Sequence, residues 1–275
     1  MRNRSMPTSE RPADRRFIYR GNAIPLGGQV YRVGEKRVSK SIASPAASSL
    51  TVVGGASHST AAGSTFEDIF SWGDCLADSS GAVNAKGSAV TTVTARIKNF
   101  RARNKPIVFE TDLLSVTVVS DHPVRGQPSI APTEVVFYKK KMTFNTLPVT
   151  LDVDLNTFQT LATLESLDRE FRTNRKFFDS YVGRFRRKRS SPPSFGSSIP
   201  RISGYVSCSI VSGITWGDRK IPGNVLQLDG FGSIYFGEML INEYNRRLTL
   251  VRLRMGSDVE ADTALAEVDP NGSWE

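Results

Sequence analysis

Alternation of apolar and polar residues with period two is the feature that most limits the folds open to this chain. Over 90–100, Val93, Ala95 and Ile97 alternate with threonine, arginine and lysine, which predicts a strand with one buried face. Similar segments, rich in β-branched and aromatic residues, are separated by turn residues. They are 107–109, 113–119, 135–144, 150–153, 204–214, 233–241 and 247–255. We therefore predict a mainly β protein, an antiparallel sandwich or closed barrel of about ten strands.

One segment, 155–182, has a helical period instead. Its apolar residues recur at three- and four-residue steps, and Thr163 and Asn174 are suitable N-caps. We expect a short helical insertion, with helices over 156–161, 164–171 and 175–182. The apolar residues are Leu155, Phe158, Leu161, Leu164, Leu167, Phe171 and Phe178.

Charge is concentrated in three segments of a chain whose net charge is +9. Residues 1–40 contain ten basic and three acidic side chains and 172–189 contain eight and one, so each segment carries +7. Residues 256–275 contain six acidic side chains and no basic one, which gives −6. The predicted organisation is a flexible basic arm over 1–20 and a single mainly β domain over 21–275. That domain includes a basic loop at 183–198 and an acidic C-terminal tail at 256–275.

Five cations in six residues, followed by a Ser/Pro run, predict an exposed loop at 184–189. Clustered Lys and Arg bind polyanions by releasing counterions, so a nucleic acid or another anionic surface is a possible partner. A solvated linker and an import or processing signal are the alternatives. The candidate anion-binding residues are Arg184, Arg186, Arg187, Lys188 and Arg189, together with Arg15 and Arg16.

Hydropathy and cysteine content restrict the location of the protein. No apolar run is longer than about five residues, far short of a membrane span. The Arg-rich start lacks the apolar stretch of a secretory signal. The two cysteines, Cys75 and Cys208, are too few for a disulfide framework. These features predict a cytoplasmic protein without a membrane span, although a single Cys75–Cys208 bridge remains open.

Candidate catalytic groups are few. His58 and His122 are the only histidines and either could act as a general base, with Cys75 as a nucleophile, but no nucleophile motif accompanies them. The interpretation we favour is that both are loop histidines with local hydrogen bonds. Glu238 lies in an apolar strand, where pairing with Arg252 or Arg254 on the next strand is the favoured interpretation.

Metal and nucleotide motifs are incomplete. Asp152, Asp154 and Asn156 match the start of a calcium loop, but Thr157 and Thr163 replace the required Gly and Glu. No complete phosphate-binding glycine motif occurs. We therefore predict no catalytic residue, no cofactor and no metal site.

Two local patterns bear on relatives and repeats. The tripeptide Trp-Gly-Asp occurs at 72–74 and 216–218, which fits either two strand ends followed by turns or a duplicated domain. The stretch 230–257, the sequence Asn-Gly-Ser-Trp at 271–274, the second tripeptide and the helical segment resemble uncharacterised bacterial mainly-β proteins. The resemblance implies a bacterial cytoplasmic protein and no particular activity; a small viral structural protein is the alternative.

These observations favour a non-enzymatic structural or binding protein. It would self-associate as a homo-oligomer or bind another protein, dock an anionic partner through its basic segments, or do both. The alternative is an enzyme or small-ligand carrier with a pocket inside a barrel, near Glu238, His58 or His122. A closed apolar cavity would favour the alternative, and a filled core with an exposed strand edge would favour assembly.

Overall fold

The computed structural model describes residues 16–124, 134–155, 161, 163–183, 193–242 and 245–275. Within them the chain forms two helices and nineteen strands. The helices are α1 (Leu164–Thr173) and α2 (Arg175–Gly183). The strands are β1 (Phe17–Val33), β2 (Lys36–Ile42), β3 (Ser48–Ser49), β4 (Gly55–Ala61), β5 (Ser64–Phe66), β6 (Phe70–Trp72), β7 (Cys75–Val83), β8 (Ala89–Asn104), β9 (Ile107–His122), β10 (Glu134–Phe144), β11 (Leu147–Val153), β12 (Arg201–Ile202), β13 (Tyr205–Ser209), β14 (Val211–Trp216), β15 (Arg219–Pro222), β16 (Val225–Leu228), β17 (Gly232–Ile241), β18 (Arg246–Met255) and β19 (Val259–Trp274).

The strands form two antiparallel sheets. Sheet I has the order β12-β13-β17-β18-β19-β1-β2, with β16 beside β17 and β3 beside β1. Sheet II has the order β15-β14-β11-β10-β9-β8-β6-β5, with β7 beside β8 and β4 beside β7. The prediction of a mainly β sandwich with a short helical insertion is confirmed. Over the described residues neither sheet closes into a barrel, and the number of strands exceeds the predicted ten.

The two sheets pack face to face through their longest strands. β1 and β19 of sheet I lie against β8 and β9 of sheet II. The side chains of Leu26, Ile97, Leu114, Phe236 and Leu253 are fully buried between the sheets. Burial of each side chain of this size stabilises the fold by about 1.5–3 kcal/mol.

The alternation of inward and outward side chains changes phase in the middle of both sheets. In sheet II, Asn99 (φ 48°) and Lys141 (φ 37°) are left-handed and lie on either side of Asp112. In sheet I, Gly237 (φ 58°) and Ala266 (φ 50°) are left-handed across β18. The register continues unshifted through both rows. A single period-two pattern therefore does not extend over a whole strand.

The helical insertion begins with a capping box. Thr163 Oγ1 accepts a hydrogen bond from the Ser166 amide (3.1 Å), and Ser166 Oγ accepts one from the Thr163 amide (3.0 Å). Asn174 Oδ1 caps α2 by accepting from the Phe177 amide (3.1 Å). Both predicted N-caps therefore begin helices. The predicted helix over 156–161 lies outside the described residues, apart from Leu161.

The charged C-terminal segment is a strand and not a tail. β19 lies between β18 and β1 in sheet I. Val259, Ala261 and Leu265 are buried, while the intervening Glu260 and Asp262 lie on the outer face. Residues 17–20, which belonged to the predicted arm, are the start of β1, and 1–15 lie outside the described residues.

Candidate functional site

Six of the seven predicted anion-binding residues lie outside the described part of the chain. The exception is Arg16, which is exposed and directly precedes β1. Its carbonyl accepts a hydrogen bond from the Glu275 amide at 2.9 Å. Binding of an anionic partner through these residues stays a prediction. The six residues are Arg15, Arg184, Arg186, Arg187, Lys188 and Arg189.

Arginines of the same chain pair with the acidic residues of β19. Arg252 donates from Nε and Nη2 to the two carboxylate oxygens of Asp262, at 2.8 and 2.6 Å. This bidentate contact raises the pKa of Arg252 above its usual range. Arg252 also lies 3.8 Å from Glu238, the pairing expected from the sequence. Two further pairs join β19 to β1 and β18, namely Arg32–Glu260 and Arg247–Glu267.

The residues considered for catalysis do not converge. His58 pairs with Asp78 on the exposed outer face of sheet II. Cys75 is buried, and burial raises the pKa of its thiol to about 12, which makes it a poor nucleophile at neutral pH. No disulfide joins Cys75 and Cys208, and both are buried. Within the described ranges, no three His, Cys, Asp or Glu residues are grouped as metal ligands.

Neither described helix is long and apolar enough to cross a membrane.

Both tryptophans of the Trp-Gly-Asp tripeptides are the last residues of strands, β6 and β14. The second tripeptide is a strand end followed by a turn, as interpreted, whereas after Trp72 the chain continues along β8 as β7 without a turn.

One edge of sheet II is formed by β4 and β5. β4 pairs only with β7 and β5 only with β6. The two strands follow each other along the same side of the sheet, so residues 55–66 form one edge, which we call the open edge. This segment contains no Lys, Arg, Asp, Glu or Pro. At about 3.4 Å per residue, twelve residues of strand extend over roughly 40 Å.

The other outermost strands are protected or short. β2 contains Lys36, Arg37 and Lys40, and β15 contains Arg219, Lys220 and Pro222. Charged side chains and prolines at an edge oppose the addition of another strand. β3 and β12 have two residues each and β16 has four. Among the described edges, residues 55–66 therefore form the one that is both long and uncharged.

One part of the open edge is already bonded. Ser48 Oγ of β3 donates to the Ser57 carbonyl at 2.9 Å and lies 2.6 Å from Ser79 Oγ. These contacts fix the beginning of β4 against sheet I. The strand beyond Ser57 has no described strand on its outer side, so its backbone is available to a partner strand.

A second unusual feature is a buried polar cluster between the sheets. Arg246, at the start of β18, is 2% exposed and donates from Nη1 to Ser120 Oγ of β9 at 3.1 Å. His122, two residues after Ser120, is 1% exposed. Burial and the nearby Arg246 lower the pKa of His122 to about 4. Burial also raises the pKa of Asp269, on β19, to about 6.

Sequence reasoning missed both features, although each leaves a signal. The open edge is visible as twelve consecutive residues without a charge or a proline. Arg246 and Arg247 are adjacent at the start of a strand, where alternation puts one of two neighbours on the buried face. Which arginine is buried depends on the register of β18, and the sequence does not give that register.

A groove lies outside the sandwich, between α1 and the chain that precedes β12. Its volume is about 620 Å³. Buried Leu164 and Ile199 contribute to its wall, and three arginines, Arg169, Arg172 and Arg201, line it together with Glu165 and Asp168. Arg172 is held by Asp168 and by Ser198 Oγ at 2.6 Å. The groove thus combines both signs of charge and is not the interior pocket that the alternative function requires.

Comparison with known proteins gives one match. A family model described as Domain of unknown function (DUF8256) matches residues 17–242. No curated protein and no solved structure matches the chain. The match agrees with the resemblance to uncharacterised mainly-β proteins, while a bacterial origin stays a prediction.

Proposed function

We infer that this protein, which belongs to the DUF8256 family, is a non-enzymatic structural or binding protein that assembles with a second copy of itself. The open edge, residues 55–66, is the observation that supports this function. A strand edge presents unpaired N–H and C=O groups, and a second strand that pairs with it satisfies them.

A second copy is the partner that fits this edge most simply. Two identical edges can pair antiparallel about a twofold axis, which gives a closed dimer with the same residues on both sides. Because the segment has no charge, the symmetric arrangement opposes no like charges. The groove beside α1 lies outside the sandwich, so it does not support the alternative of a ligand-carrying pocket between the sheets.

A lysine placed on the open edge tests this assembly. Thr60 is exposed on β4, and in the dimer a Thr60→Lys substitution brings two lysines to one interface. We expect the dissociation constant to rise about tenfold or more. Ser80→Lys is the matched control, because Ser80 is exposed on the outer face one strand further in.

Light scattering over a range of protein concentrations measures the result. Wild type and Ser80→Lys should have the mass of a dimer at concentrations where Thr60→Lys has that of a monomer. A monomeric wild type up to several hundred micromolar, or equal dissociation of all three proteins, would contradict assembly through this edge.

Docking of an anionic partner is a second candidate, supported by the first residues of β2, next to the turn that joins it to β1. Lys36 and Arg37 are exposed there, and neither has an ion pair with the described residues. Deletion of 184–189 and, separately, Lys36→Ser/Arg37→Ser should each lower the salt concentration that elutes the protein from heparin. Unchanged elution of both variants would refute this candidate without affecting the dimer.

We also propose a reducing, cytoplasmic location. The supporting observation is that Cys75 and Cys208 are buried and form no disulfide with each other. Fractionation of the source cells, followed by immunodetection, tests this location; recovery outside the cytoplasm would contradict it.

A further inference from the structure

Arg246 carries a buried positive charge that its neighbours do not balance. Its side chain crosses from sheet I to Ser120 on sheet II, and one guanidinium nitrogen, Nη1, donates to the Ser120 hydroxyl. The other two, Nε and Nη2, are buried and have no hydrogen-bond partner in the described part of the chain. A buried charged group without partners destabilises a fold by several kcal/mol.

No described carboxylate forms an ion pair with Arg246 within 4.0 Å. Asp269 is the nearby acid, but hydrogen bonds from Asn271 and Asn22 already engage its carboxylate. Burial also raises the pKa of Asp269 to about 6, so this carboxyl group becomes neutral as the pH falls below 6. Among the described residues, the guanidinium therefore lacks a close anion.

His122 adds a second unpaired group at the same place. It lies two residues after Ser120 on the same face of β9, and both of its ring nitrogens are buried without a hydrogen-bond partner within the described ranges. A neutral imidazole still has one N–H to donate. The guanidinium and the imidazole thus leave several N–H donors in one interior region without a hydrogen-bond partner among the described residues.

Aromatic side chains close this end of the sandwich. The Phe17 ring lies 4.9 Å from the His122 ring and 5.1 Å from the Trp274 ring, centroid to centroid. Trp274 Nε1 donates to the His122 carbonyl at 3.0 Å. An occupant reached past these rings must be small. A water molecule could accept from the free N–H groups but would not balance the charge of Arg246.

We propose that a small monovalent anion of the halide class, such as chloride, binds between the sheets, held by Arg246 and by N–H donation from His122. The site is independent of the assembly through the open edge. Its role is to supply the counter-charge for Arg246, so halide binding stabilises the folded state by mass action.

Thermal unfolding at constant ionic strength tests the site, with sodium chloride replaced stepwise by sodium gluconate. The wild-type midpoint should rise by several degrees with chloride and then saturate. Arg246→Met should abolish the chloride-dependent rise. Arg254→Met is the matched control, because Arg254 is exposed on the same strand. This variant should keep the chloride-dependent rise. A wild-type midpoint that is the same in both salts would overturn the proposal.

A second measurement covers the case in which Arg246→Met does not fold. Wild-type crystals grown in sodium bromide should show an anomalous scattering peak beside Arg246 and His122. A well-ordered cluster without such a peak would also overturn the proposal.

Discussion

Replacing His122 should make the protein more resistant to acid than the wild type. In the fold, burial and Arg246 lower the pKa of His122 from 6.5 to about 4. As the pH falls from 6.5 to 4, the unfolded chain takes up a proton at this residue and the folded protein does not. The wild type therefore loses stability in this window, by up to about 3 kcal/mol at 1.36 kcal/mol per pKa unit.

Asp269 acts in the opposite direction over nearly the same pH range. Burial raises its pKa from 3.8 to about 6 in the folded state. The favourable contribution of this group is fully present below pH 3.8 and is lost as the pH rises through 6. This contribution to the free energy of unfolding is again up to about 3 kcal/mol. Between pH 4 and pH 6 the two contributions nearly cancel in the wild type.

Single variants separate the two groups. From pH 7 to pH 4, the free energy of unfolding of His122→Leu, relative to wild type, should rise by up to about 3 kcal/mol. Asp269→Asn should be more stable than wild type at pH 7, and this advantage should disappear as the pH falls through 6. Urea unfolding from pH 4 to pH 8 measures both differences. If the free energies of unfolding of His122→Leu and wild type differ by the same amount at every pH from 4 to 8, the reasoning is refuted.

Three further predictions concern the sheets, the helical insertion and the thiols. Gly237→Ala should lower the free energy of unfolding by about 2 kcal/mol in urea, because φ is +58° and a new Cβ would lie 2.6 Å from Ile210 Cγ1; a neutral effect would contradict this conformation. Thr163→Ala should lower the free energy of unfolding by about 1 kcal/mol in the same assay, because the capping box is lost. Thr163→Ser should have a much smaller effect, because serine can still cap the helix. Cys75 and Cys208 should resist alkylation at pH 8 in the native protein and react in urea, as mass spectrometry would show; rapid native labelling would contradict their burial.

The sequence predicted the central strands of sheet II well, because their alternation and their turns are local signals. β8 and β9 include the predicted segments 90–100, 107–109 and 113–119. The phase change at Asn99 and Asp112 was not predicted, since it depends on backbone conformations in neighbouring strands. For the same reason β9 appeared in the sequence as two short strands.

The two central strands β1 and β19 were missed for opposite reasons. β1 contains Pro25, which argues against an interior strand. In the structure Pro25 lies opposite Ala266, in a row where strand pairing is interrupted, so its missing N–H removes no ladder hydrogen bond. β19 does alternate, but the six acidic residues of 256–275, four of which lie in β19, predicted a tail. Only their pairing with arginines of β18 and β1 shows why they belong in a sheet.

The candidate sites depended even more on tertiary structure. The neutral composition of residues 55–66 can be read from the sequence, but its position at an open edge follows from which strand pairs with β7. The burial of Arg246 likewise follows from the register of β18. The basic residues at 184–189 were prominent in the sequence, and they lie outside the described residues.

Amide hydrogen exchange over residues 58–66 tests the central claim most directly, because it reports on the backbone groups that the second copy would bind. The assembly predicts slow exchange in this segment at high protein concentration and faster exchange on dilution, while the amides of β9 stay protected at both concentrations. Rapid exchange over 58–66 at every concentration would contradict assembly through the open edge.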